Sequence, residues 1–140
     1  MKWYKLWEKK EPRVYVIRSW LMPKFLLSGF TPGPFMIIRQ GKENDNALIY
    51  HEKRHLYHWD RDGVHYPINY LTNSAVRLDY EVDAYAHQAT QYHPKLVEQK
   101  ICIFGYFLKN NYRLNIDIIT AENLIRDKYR EIIKSNSSNE

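Results

Sequence analysis

The hydrophobic pattern changes period near residue 45, and that change limits the fold more than any other feature. Before it, Val14-Tyr15-Val16-Ile17 and Phe35-Met36-Ile37-Ile38-Arg39 are β-branched and aromatic runs, the composition of strands. Between them Ser28-Gly29-Phe30-Thr31-Pro32-Gly33-Pro34 is dense in turn residues, and Gly41 to Asn46 is a polar loop. After it, Asp45 or Asn46 fits a helix N-cap, and Ala47 to Trp59 follows with no Gly or Pro. This predicts a helix of three to four turns, ended by Asp60-Arg61-Asp62-Gly63, with residues 64–74 as loop. A second helix is expected from Asn73-Ser74 to about Tyr92. Pro94 suits the start of a third, in which Val97, Ile101, Phe104 and Leu108 recur at helical spacing. Thr120 reads as the cap of a last helix, with Ile125, Tyr129, Ile132 and Ile133 inward. The expected fold class is α+β, mostly α: an N-terminal β-hairpin or small sheet, then about four helices. Residues 1–134 read as a single domain and residues 135–140 as a flexible polar tail.

A length of 140 residues, 44% of them hydrophobic and 26% charged, excludes a disordered, collagenous or coiled-coil chain. The stretch Phe25 to Ile38 has no charge but is only 14 residues long and is broken by Pro32, Gly33 and Pro34, so no membrane span is expected. The opening MKWYKLWEKKEP has no apolar h-region, and a cytoplasmic location is the expectation. The single cysteine, Cys102, excludes an internal disulfide and a Cys-rich zinc finger, and reads as core. The net charge is +5, and residues 1–24 alone carry seven Lys or Arg against two Glu. That permits nucleic-acid binding, although no RNP-like aromatic motif supports it and a solvated basic face is the simpler reading. Trp3, Trp7, Trp20 and Trp59 read as core and cleft walls.

The chemistry lies in His51-Glu52-Lys53-Arg54-His55, an HExxH motif. Positions i and i+4 share one face of a helix, so both imidazoles can reach one metal ion. The intervening Glu52 projects beside that metal, where it can act as general base on a water. With six His and nine Glu in the chain, the motif arises by accident in about one or two such sequences in a hundred, so it needs support.

A tetrahedral zinc site with an open position takes three protein ligands. Glu81, 26 residues after His55, is the expected third, because Leu78, Glu81, Ala84, Tyr85 and Gln88 share one face of the second predicted helix. His51, His55 and Glu81 are thus the expected ligands of Zn²⁺. His58 falls on the same face as the motif histidines, but three turns of one straight helix rarely converge on one ion, so it is assigned a supporting role. Asp79 and Asp83 point elsewhere. His65, Tyr66, Tyr70, Tyr85 and His87 are packing or loop positions, one of which would stabilise an oxyanion.

HEKRH followed by YEVDAYAHQ resembles the gluzincin zinc metallopeptidases, the thermolysin-like clan, and the length is similar to their minimal single-domain members in bacteria and phages. The resemblance implies a zincin-like fold, with an extended edge strand, here Pro34–Gln40, ahead of the HExxH helix and a Glu from a following helix completing the site. It implies a zinc-dependent metallopeptidase acting on a peptide or protein substrate, and for a phage-encoded chain a place in the host cytoplasm or virion. The chain departs from the pattern at Lys53 and Arg54, both charged, and at Tyr85, where thermolysin-like enzymes carry an Asp. The competing expectation is a non-catalytic phage-type accessory, virion or nucleic-acid-binding protein with a structural or vestigial zinc site.

Overall fold

The computed structural model describes residues 1–23 and 28–139, so residues 25–27 of the uncharged stretch lie outside it. The architecture is α+β and mostly helical. A four-stranded sheet, β1 (Trp7–Glu11), β2 (Val14–Ile17), β3 (Gly29–Phe30) and β4 (Met36–Arg39), precedes five helices, α1 (Asn46–Asp62), α2 (His65–Thr72), α3 (Ser74–Ala89), α4 (Val97–Asn111) and α5 (Ile118–Ser138). The chain divides into two compact units, Met1–Pro67 and Ile68–Glu140.

In the first unit the strand order is β1-β2-β4-β3. The first two strands form an antiparallel hairpin, β2 and β4 run parallel, and β3 pairs antiparallel with β4. The two-residue period of the strands puts Val14, Val16, Met36 and Ile38 on one face, all buried. Leu56 of α1 joins Val14, Met36 and Ile38 in the core, with Ile49 packed against them. Asp45 caps α1, its carboxylate accepting from the Leu48 amide at 3.1 Å. Gly63, at φ 59, ends that helix in the left-handed region that glycine enters without strain. Arg13 ties the hairpin tip to the last turn of α1 through two bonds to Asp60, at 2.9 and 3.1 Å.

The expected edge strand is an internal one. Both sides of β4 are paired, with β2 and with β3, and the short β3 forms the margin on that side of the sheet. The segment 64–74, expected as loop, holds α2. Pro67 sits in the first turn of that helix, where an amide has no intrahelical acceptor to lose, and buried Tyr66 anchors it.

In the second unit, Val82, Tyr85, Ala86 and Ala89 of α3, Val97, Ile101, Phe104 and Leu108 of α4, and Ala121 and Ile125 of α5 form one core. The apolar stripe of α4 is buried as its spacing predicts, whereas Cys102, one residue around from Ile101, is exposed. Asn73 caps α3 by accepting from the Ala75 and Val76 amides. Asp117, not Thr120, caps α5: its carboxylate accepts from the Thr120 amide and hydroxyl, at 2.9 and 2.8 Å. Among the described residues no helix is long and apolar enough to cross a membrane.

Candidate metal centre

Helix α1 buries one stripe and exposes the other. His51, Glu52, His55, Leu56 and His58 are buried, while Lys53 reaches out to Glu11 at 2.9 Å and Arg54 lies over the Tyr57 ring at 4.0 Å. The two charged positions inside the motif therefore sit on the flank away from the histidines. The His51 and His55 rings face each other edge to face, their centroids 5.0 Å apart, which is the i, i+4 placement a shared ion requires.

Glu81 is buried on α3, with Tyr80, Val82, Ala84, Tyr85 and Gln88 also buried along that helix. Asp79, two residues away, is exposed. One metal-binding atom from each of His51, His55 and Glu81 lies within 4.8 Å of the others, and these three buried side chains form a donor set able to hold a metal ion. Two imidazoles and one carboxylate suit zinc and other first-row divalent metals alike.

Two further side chains contact the donors, and a third contacts Glu52. His58 Nδ1 meets His55 Nδ1 at 3.2 Å. Were a metal held on Nε2 of His55, the proton would sit on Nδ1 and His55 would donate to His58, which would fix the ring. Tyr70 donates its hydroxyl to Glu81 Oε1 at 2.6 Å. Thr31 donates to Glu52 Oε2 at 2.7 Å, and its carbonyl accepts from the Tyr66 hydroxyl at 3.1 Å. Among the described residues Glu52 Oε1 accepts no hydrogen bond, and it remains available to a water. Neither Thr31 nor the Tyr70–Glu81 bond was legible in the sequence, because both depend on how a loop and a short helix fold.

The remaining candidates are engaged elsewhere. Tyr85 hydrogen-bonds Tyr112, hydroxyl to hydroxyl, at 2.6 Å and stacks on Phe104. Burial first, and then the Glu81 charge, hold the Tyr112 hydroxyl well above the usual phenol range, so it stays protonated beside the carboxylate. His87 pairs through Nδ1 with the Asp83 carbonyl at 2.8 Å, and His65 is exposed.

The Tyr70–Glu81 bond gives a direct test. Groups that orient a metal ligand typically contribute 10–100-fold to metal affinity. Tyr70→Phe removes only the hydroxyl, so zinc affinity measured against a competing chelator is expected to fall by about that factor. Unchanged affinity would mean that the bond does not serve the metal. Comparison of the chain with the models of known families, with curated proteins and with solved structures returned no match.

Proposed function

We propose that this chain is a zinc-dependent metallopeptidase with a zincin-like site, its metal held by His51, His55 and Glu81 and its general base supplied by Glu52. The observation that carries this reading is the convergence of the three buried donors, drawn from an HExxH helix and a later one. Zinc bound by such a set supplies a Lewis acid for a peptide carbonyl and brings the pKa of a coordinated water to about 7.

The protein's own part is proton traffic and orientation. Glu52 takes the proton of the attacking water on Oε1 and returns it to the departing amine. Thr31 holds the other carboxylate oxygen and stops the side chain from rotating away. His58 and Tyr70 fix the rings and carboxylate that would bind the metal. An extended peptide fits the outer side of β3, the margin of the sheet, better than β4, whose edges are used. A side-chain β-carbon built at Gly29 of β3 would lie 3.4 Å from Glu52 Cγ, so a peptide added there runs past the base.

The test is metal content measured together with cleavage of an unfolded protein substrate. One zinc per chain and cleavage that a chelator abolishes and zinc restores are expected. Stoichiometric zinc with no cleavage across a broad peptide library would overturn the peptidase reading.

A further inference from the structure

The outer face of the sheet does not take part in the site. The register places Trp7 opposite Ile17 and Lys9 opposite Tyr15, and Tyr15 and Ile17 opposite Ile37 and Arg39. This is the face turned away from Val14, Val16, Met36 and Ile38. On it Trp7, Tyr15 and Phe35 form a chain of edge-to-face rings, with centroid spacings of 5.6 and 5.9 Å. Trp7 is 58% exposed and Phe35 37%, and in the same unit Trp3 is 88% and Trp20 71% exposed. Trp3, Trp7 and Trp20 are therefore not core residues, contrary to that part of the expectation from sequence, whereas Trp59 is half-buried. Each of the three forgoes the burial of a large apolar surface, and exposed aromatics gathered in this way mark an interaction surface.

The charge around them is net positive. Residues 1–20 carry Lys2, Lys5, Lys9, Lys10, Arg13 and Arg18 against Glu8 and Glu11. Among the described residues Lys5 and Lys9 enter no ion pair, and the register puts Lys9 on the aromatic face opposite Tyr15, whereas Lys10 lies on the other side with Val14, Val16 and Ile38. Arg18 donates to the Lys5 carbonyl at 2.8 Å and to that of Lys2, which pins the segment bearing Trp3 and Tyr4 to the end of β2.

We propose that this aromatic and basic sheet face binds single-stranded nucleic acid. Neighbouring strands lie about 4.8 Å apart, so rings carried on β1, on β2 and just ahead of β4 can each meet a base while lysines meet the phosphates. Base stacking on aromatic side chains needs no sequence motif. An anionic lipid surface shares the charge requirement and also takes aromatics at its interface, so vesicle binding is the outcome that separates the two.

The experiment uses the full chain and a fluorescein-labelled oligothymidylate of about 15 nucleotides, read by anisotropy at low salt. Saturable binding is expected, weakening as salt rises with a log–log slope of about −2 for roughly three phosphate contacts. Trp7→Ala is expected to weaken binding about tenfold, and Lys9→Ala to flatten the salt slope. Trp7 is exposed on the outermost strand, so its loss leaves the core intact; circular dichroism checks this, and Lys9→Ala tests the same face without removing an aromatic. His51→Ala should bind the oligonucleotide like the parent, since this surface works independently of the metal centre. No binding at low salt, equal binding by both face variants, or binding to phosphatidylserine-containing vesicles but not to the oligonucleotide would each overturn the proposal.

Discussion

On the metallopeptidase reading proposed above, replacing Glu52 with Gln is expected to lower peptide hydrolysis by about 10²–10⁴-fold, the usual contribution of a positioned general base, while zinc content and thermal stability stay unchanged. The substitution keeps the volume of a side chain buried on α1. It also keeps the local hydrogen bond. Thr31 donates to Glu52 Oε2 at 2.7 Å; the amide of Gln can accept from that hydroxyl through its oxygen or donate to it through its nitrogen. What disappears is the ability to accept and release a proton. Turnover on a peptide substrate, with metal content and melting temperature measured on the same samples, separates the roles. Cleavage at the parental rate would place the activity in another site or a contaminant. Loss of zinc along with activity would make Glu52 a structural member of the centre and overturn its assignment as base.

The parts of this fold that sequence reveals are those fixed by local chemistry. Val14–Ile17 and Met36–Arg39 are strands because their alternation leaves one buried and one outer face. Helix α1 follows from Asp45, an unbroken run and Gly63, and α3 from Asn73. The ligand candidates His51, His55 and Glu81 were legible for the same reason: each lies on a helix whose face can be counted. The rest depends on tertiary pairing. Nothing in Phe35–Arg39 says that a two-residue strand will cover its free edge, so a margin strand and an internal one look alike. Helix α2 is short and carries Pro67 and Asn69, a composition shared with loops, and only its placement in the first turn makes the proline harmless. Trp3, Trp7 and Trp20 departed in the opposite direction. Size and apolarity argue for burial, but whether an outer sheet face gains a cover is decided by the whole chain. Thr31 was invisible because a hydroxyl in a turn acquires its role only when the loop reaches Glu52.

Removal of a ligand should have the largest effect on the metal itself. His51→Ala deletes one of three donors whose atoms lie within 4.8 Å of one another, and zinc affinity is expected to fall by more than the roughly 10–100-fold typical of a supporting group. Glu81 needs a gentler substitution. It is buried and accepts the Tyr70 hydroxyl at 2.6 Å, so Glu81→Ala would leave a cavity and an unsatisfied phenol, and a fall in stability would confuse the result. Glu81→Gln retains the shape and an acceptor for Tyr70 but replaces an anionic oxygen donor with a neutral amide, so metal binding weakens while the fold is preserved. Asp79→Ala is the matched control. Residues two apart on a helix point about 200° from each other, Asp79 is exposed, and zinc should be held as in the parent. Metal content after equilibrium dialysis, with circular dichroism on each variant, reads all three. Equal zinc retention by Glu81→Gln and Asp79→Ala would remove Glu81 from the ligand set. Attention would then move to His58, which already touches His55 and could complete the site only if its ring left that contact.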